Sequence, residues 1–263
     1  MCKECGCGLG GGDVKIGGHV HEHEHDHSGH EHHHHEHGHA HTHAHSVCTL
    51  DLSRSLMEKN DRLAERNRGF FRAKKLLVLN VVSSPGSGKT TFIRETAATL
   101  GKRLRVGVIV GDLATDNDAA RLRGAGIPVV QITTGTVCHL DAEMVSKAAS
   151  ELDLDKLDVL VIENVGNLVC PADYDLGEDL RVVLLSTTEG EDKPLKYPPM
   201  FHSANVAIIT KGDLAAAAGF NRDLALTNLR RVSHHAKIFE LSAKTGDGMK
   251  AWLDFLVQQR STV

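Results

Sequence analysis

No stretch of this 263-residue chain holds the roughly 18–20 consecutive apolar residues that cross a bilayer, so neither a membrane span nor a membrane partner is expected. The amino terminus lacks the basic-then-apolar layout of a secretory leader. Met1 to Gly18 is instead rich in Cys and Gly, and a cytoplasmic protein is expected. Nor is there an excess of positive charge: 30 Lys and Arg stand against 34 Asp and Glu, a net −4. That balance excludes the broad basic face of a general nucleic-acid binder. In a reducing compartment the six cysteines suit thiol or metal chemistry better than a disulfide frame.

The residues that are present are unevenly distributed. Fifteen of the 19 histidines lie between His19 and His45, and residues 1–48 carry seven carboxylates against two lysines. This Cys/His-rich extension has almost no aliphatic side chain in its His run. It cannot bury enough apolar surface to offset chain entropy, so disorder without a ligand is expected. A purification tag would be homopolymeric, whereas Glu, Asp, Gly, Ala and Thr interrupt this tract. Residues 49–75 are predicted to form an amphipathic helix, with Leu52, Leu56, Leu63, Phe70 and Phe71 at helical spacings and Asp51 or Ser53 as its cap. It should pack on the domain that follows.

From Leu76 to Val263 short apolar segments alternate with helical ones. Strands are read at 76–82, 105–110, 129–132, 159–164, 182–187, 206–211 and 237–241, and helices at 89–100, 117–124, 139–152, 223–233 and 248–257. This alternation predicts an α/β fold, a doubly wound, mostly parallel sheet covered on both faces.

The run Ser83-Ser84-Pro85-Gly86-Ser87-Gly88-Lys89-Thr90-Thr91 matches the phosphate loop G-x-x-x-x-G-K-[ST] at every position except the first, where Ser83 replaces Gly. Its strand–loop–helix setting makes this a P-loop NTPase domain. Backbone N–H groups of Gly86, Ser87, Gly88, Lys89, Thr90 and Thr91 would cradle phosphates at a helix N-terminus. Lys89 would sit on the β/γ-phosphates and the Thr90 hydroxyl on Mg²⁺. Thr210-Lys211-Gly212-Asp213 stands where G-proteins place N-K-x-D. An Asp213 carboxylate accepts from guanine N1–H and its 2-amino group, which adenine does not offer, while the Lys211 stem covers the base. Ser242-Ala243-Lys244 has the form of the loop that donates a backbone N–H to guanine O6, so GTP is the expected nucleotide. Asp112 and Glu163, at strand tips, are expected in the Mg²⁺ shell, with Asp116 orienting water; solvated loop acids are the alternative. No Gln follows Gly166 and no arginine finger stands out, so slow, switch-like hydrolysis is expected.

Cys2, Cys5 and Cys7 put three thiols within six residues, flanked by glycines. They suit square-planar Ni²⁺ or tetrahedral Zn²⁺; a redox C-x-x-C would instead be expected to open a helix. The His tract offers many imidazoles for metal storage, with binding that collapses as pH falls below about 6.5. Cys138-His139 and Cys170 both follow core strands. They are either ordinary buried residues or a metal site whose open fourth position suits transfer. Cys48 is unassigned.

Taken in order, C-x-x-C-G-C, the His-rich insert, SSPGSGKTT, GDLATDNDAAR, GTVCHLDAEM, ENVGNLVCPA and TKGDL resemble the HypB family, the GTPases of nickel–iron hydrogenase maturation. The resemblance covers essentially the whole chain. It implies a nickel metallochaperone of the SIMIBI class that dimerises with nucleotide or metal. It further implies work with a HypA-type accessory protein to load nickel into the hydrogenase large subunit. By this resemblance Cys2, Cys5 and Cys7 are the tight nickel site, and Cys138, His139 and Cys170 a metal site at the dimer interface. Three other readings compete: a urease-type nickel GTPase, a nickel storage protein, and a translation or signalling GTPase with an incidental metal-rich tail.

Overall fold

The computed structural model describes residues 15–16, 19–20, 45–101 and 103–263, with side chains described from Arg54 onward. In chain order the first elements are β1 (Lys15–Ile16), β2 (His19–Val20), α1 (His45–Ala73), β3 (Leu77–Ser83), α2 (Lys89–Leu100), β4 (Val106–Asp112) and α3 (Asn117–Arg123). Next come β5 (Val129–Thr133), α4 (Ala142–Ala149), β6 (Val159–Glu163), β7 (Leu180–Ser186) and two short helices, α5 (Lys193–Lys196) and α6 (Pro198–His202). The last are β8 (Val206–Thr210), α7 (Arg222–Val232), β9 (Lys237–Glu240) and α8 (Met249–Arg260).

The sheet order is β2-β1-β5-β4-β6-β3-β7-β8-β9. The seven strands from β3 to β9 run parallel, as doubly wound topology requires. Strand periodicity of two then sorts side chains between faces. Leu77, Leu79 and Val81 of β3 enter one core with Phe92 and Ile93 of α2, Leu122 of α3 and Trp252 of α8. Val78 and Val82 enter the opposite face, under α1 and α4 on one side and α6 and α7 on the other. Because both faces are buried, each strand reads as an almost unbroken apolar run. The Trp252 indole N–H donates to Thr96 Oγ1 at 3.1 Å, so its one polar atom is satisfied inside the core.

The amino-terminal helix begins at His45 and ends at Ala73. Its polar side chains clamp two loops of the second face. Asn60 Oδ1 accepts from the Ala142 N–H at 2.9 Å, and Asn67 Nδ2 donates to the carbonyls of Ala142 and Leu176. The start of α4 is thereby fixed, and the loop preceding it is anchored.

Several boundaries differ from the sequence reading. The helix read from His139 starts at Ala142, because Asp141 caps it by accepting from the Met144 N–H, which leaves Cys138 and His139 in the loop before it. The helices at 193–196 and 198–202 were not read from sequence, since Pro194, Pro198 and Pro199 suggest a loop; all three fall in first turns, where proline is tolerated. Lys15–Ile16 and His19–Val20 pair antiparallel, and Lys15–Ile16 pair with Thr133 and Ile132 of β5. The rest of residues 1–44, including Cys2, Cys5, Cys7 and the His run, lies outside the described residues.

Candidate nucleotide and metal site

The carboxyl ends of the parallel strands carry the chemistry. β3 delivers the chain into the phosphate loop, where Gly88 holds φ +97° before α2, a left-handed conformation that a side chain would strain. Ser83, standing where the motif has Gly, donates its hydroxyl to the Ser84 carbonyl at 2.8 Å. The same oxygen accepts from Lys89 Nζ at 3.0 Å and contacts the Ser87 hydroxyl. The residue that departs from the motif thus gives the lysine Nζ a hydroxyl acceptor. Burial pushes the Lys89 pKa down, with Glu163 as the main opposing charge.

Glu163, at the tip of β6, is almost fully buried, and that burial raises its pKa to about 7 against the pull of Lys89 and Thr90. Its Oε1 accepts from Thr90 Oγ1 at 2.8 Å, while its Oε2 is buried without a hydrogen-bond partner. An orphaned carboxylate oxygen beside a Thr hydroxyl is the donor chemistry a hard dication takes, so these residues fit Mg²⁺. Asp112, at the tip of β4, accepts from the Ala114 N–H and the Thr115 hydroxyl, and lines the same cavity of about 380 Å³. Asp118 and Arg121 of α3, joined by a 3.2 Å ion pair, line it too. Asp116 does not: it is exposed at the helix N-cap position and outside the cavity lining. Asp116 was named from sequence as a strand-tip acid orienting water, and Asp118 was not singled out. Gly166 lies so close to the loop that a Cβ there would sit 3.1 Å from Pro85 Cα, which brings the segment after Glu163 against the phosphate loop.

A second cavity, about 210 Å³, adjoins the first through Gly88 and Thr91, and is lined by Thr210, Lys211, Asp213, Ser242, Ala243 and Lys244. Asp213 Oδ1 accepts from the Ser242 hydroxyl at 2.6 Å, which aims the carboxylate. Lys211 Nζ donates to the Gly86 carbonyl at 2.8 Å, and Thr210 Oγ1 donates to the Ser87 carbonyl at 3.1 Å. Thr210 thus supplies a bridge from base pocket to phosphate loop although it replaces the Asn of the motif. A larger cavity of about 500 Å³, between Ala97, Arg105, Pro128 and Leu157, lies at the other end of the strands, away from these groups.

Beside the phosphate cavity, the loop after β5 and the turn after β6 bring Cys138, His139 and Cys170 together, with their ligand atoms all within 4.8 Å. The two sulfurs lie 2.9 Å apart and are not joined in a disulfide. His139 is buried and stacked on Tyr174 with ring centroids 3.9 Å apart. Burial holds its pKa below the ordinary value, against Asp141 and Asp173, and its Nδ1 has no hydrogen-bond partner. A neutral imidazole beside two thiols is a ligand set for a borderline or soft divalent ion such as Ni²⁺ or Zn²⁺.

One segment links the two sites. Asn164 Oδ1 accepts from the Leu140 N–H at 3.2 Å, and its Nδ2 donates to Asn80 Oδ1 on β3. Asn167 Nδ2 donates to the Cys138 carbonyl at 3.3 Å, and its Oδ1 accepts from the Val169 N–H. Asn80 continues the network to Glu178. Burial pushes that carboxyl up, but Arg181, backbone N–H groups and Asn80 more than offset it, and its pKa is lowered. The linking amides were not singled out from sequence; their signal, the Asn in E-N-V-G-N, is ambiguous without the fold.

A family model described as "CobW/HypB/UreG, nucleotide-binding domain" matches residues 77–240. The chain is 50% identical over 213 residues to a hydrogenase maturation factor HypB of Azotobacter vinelandii, covering 81% of this chain and 70% of that one. The chain belongs to the HypB family. Its HypB relative from Escherichia coli strain K12 is 51% identical over 211 residues, with 80% of this chain and 73% of that one covered. The crystal structure of HypB from Helicobacter pylori in complex with nickel superposes with a TM-score of 0.74 at 42% identity, covering 78% of this chain and 96% of that one. Among the described residues no helix is long and apolar enough to cross a membrane.

Proposed function

We propose that this chain is a GTP-hydrolysing nickel metallochaperone that inserts nickel into the large subunit of a nickel–iron hydrogenase. The observation that carries this reading is the run from Glu163 to Cys170. It begins in the phosphate cavity and ends as a ligand in the thiol–imidazole cluster. GTP phosphates would take Lys89 away from Ser83 and restore the charge that burial disfavours. Asp213 and Lys211 would orient guanine, with Ser242, Ala243 and Lys244 at its edge. Thr90, Glu163 and Asp112 would hold Mg²⁺, which supplies charge neutralisation to the phosphoryl group when bound. The cavity lining offers Arg121 and carboxylates but no Gln, which supports slow, switch-like hydrolysis.

Movement of the Gly166 segment against Pro85 would shift Asn164 and Asn167, and with them the Leu140 and Cys138 backbone. Nickel is the cargo of Cys138, His139 and Cys170, and Zn²⁺ is the competing ion. Cys2, Cys5 and Cys7 are assigned the tight nickel site and the His tract storage. A homodimer that closes over both sites is assigned. A HypA-type accessory protein and the hydrogenase large subunit are the assigned partners, in the cytoplasm.

The test is to titrate Ni²⁺ into protein truncated before Val47, with GDP and then with a non-hydrolysable GTP analogue. Affinity and oligomeric state are followed together. A nucleotide-dependent shift that Cys138→Ala abolishes is expected, and reciprocity requires nickel to shift nucleotide affinity by the same factor. Indifference of both quantities to nucleotide would overturn the coupling.

A further inference from the structure

We infer that His202, His234 and His235 form a separate site for a late-transition divalent cation such as Ni²⁺ or Zn²⁺, at the end of the sheet opposite the nucleotide. His202 is the last residue of α6, and His234 and His235 occupy the turn between α7 and β9. The parallel strands β8 and β9 both start there, in the register Val206 to Lys237, whereas the phosphate loop and Asp213 lie at carboxyl ends of strands. The three imidazoles are exposed and form a continuous chain. His202 and His235 have ring centroids 5.5 Å apart, and His235 and His234 5.4 Å, each pair edge to face.

Two features make this more than a solvated surface. His202 Nδ1 lies 3.2 Å from the Val232 carbonyl, which can only accept, so Nδ1 carries the hydrogen and Nε2 keeps its lone pair. A ring N–H held by a backbone carbonyl is the arrangement that orients a ligating histidine toward a metal. The ring spacing also fits. With metal–nitrogen bonds of about 2.0–2.1 Å, two imidazoles on one ion place their ring centres about 5 Å apart. The three imidazoles are not gathered as tightly as Cys138, His139 and Cys170, so binding requires His234 and His235 to rotate toward the anchored His202, a fast side-chain motion for exposed rings. With imidazole donors alone, and Arg230 and Arg231 just ahead in the chain, affinity should be lower than at the thiol site. Three ligands leave a fourth position for a donor from another molecule, which suits exchange.

Site-resolved histidine footprinting of the full chain tests this independently of any nucleotide effect. Diethyl pyrocarbonate modification, read by mass spectrometry of the carboxyl-terminal peptides, is compared without metal, with Mg²⁺, and with Ni²⁺ or Zn²⁺ in excess of the amino-terminal histidines. His202, His234 and His235 should be protected together by Ni²⁺ or Zn²⁺, at least about tenfold, and left unprotected by Mg²⁺, which prefers oxygen ligands. His202→Ala should abolish protection of His235, and His235→Ala that of His202; both side chains are exposed, so the fold should survive. Equal modification rates with and without Ni²⁺ and Zn²⁺ would overturn the proposal, as would protection of His234 and His235 that persists in His202→Ala.

Discussion

The phosphate cavity and the thiol–imidazole cluster share one edge of the sheet, yet they are built in opposite ways. The first is centred on one contiguous loop, to which strand tips and α3 add Asp112, Glu163, Asp118 and Arg121, and its chemistry is that of ionisable groups. Burial pushes Lys89 down and Glu163 up, so both are groups whose charged forms a phosphate–cation pair would favour. The second draws on two loops 32 residues apart, and what it holds ready is lone pairs rather than charge. Its backbone is positioned by amides of Asn164 and Asn167, in the loop that directly follows Glu163. The difference says where the proposed coupling would reside: in the link, since neither site shares the other's candidate ligands.

Lys89→Ala is the sharpest way to split the pair. It should lower kcat/KM for GTP about a hundred- to a thousandfold, the usual cost of a donor on developing phosphoryl charge. Metal affinity at the cysteine cluster, measured without nucleotide, should be unchanged. A fall in both would mean that the two regions are one folding unit. Cys138→Ser makes the converse cut. Loss of a ligand should weaken Ni²⁺ binding at the internal site by about a hundredfold, the upper end of what even an outer-shell partner costs. Basal GTP turnover should survive it. Asp213→Asn acts within the nucleotide site alone. Losing charge-assisted bonds to guanine should weaken GTP about ten- to a hundredfold, and xanthosine triphosphate should gain because an amide N–H can donate to its second carbonyl. Competition binding with the two nucleotides checks the exchange.

The same contrast explains what was legible in the sequence. A phosphate loop is local: glycines, lysine and hydroxyls act on one ligand from consecutive residues, so their order alone specifies the chemistry. The seven apolar runs likewise fixed strand order of appearance and a parallel sheet. Cys138, His139 and Cys170 were nameable as a pair of segments, but their meeting depends on β5 and β6 ending at one edge with β4 between them. Asp118 and Arg121 were missed for a related reason. In a helix of seven residues a shift of two positions changes which carboxylate faces the cavity, and apolar spacing that short does not set the phase. Ser83 was read as a departure from a motif, and only the folded loop brings its hydroxyl to Lys89.

Glu163 gives the smallest effect and the one most specific to the phosphate side. Its folded pKa, about 7, lies above the ordinary value of 4.5, so the folded protein binds this proton more tightly than the unfolded chain does. Without ligand, its contribution to stability should therefore decline as pH rises from about 4.5 to about 7, then level off. Glu163→Gln, which keeps an acceptor for Thr90 and removes the titration, should flatten that stretch of a Tm-against-pH curve. Mg²⁺ needs the carboxylate, so Mg²⁺-dependent GTP affinity should move the other way, rising about tenfold between pH 6 and pH 8 with the proton released. Nickel affinity at the cysteine cluster, with no nucleotide present, should keep the same pH profile in Glu163→Gln as in the parent. If the variant alters that profile as well, the carboxylate itself belongs to the link, and Asn164 and Asn167 are not its only carriers.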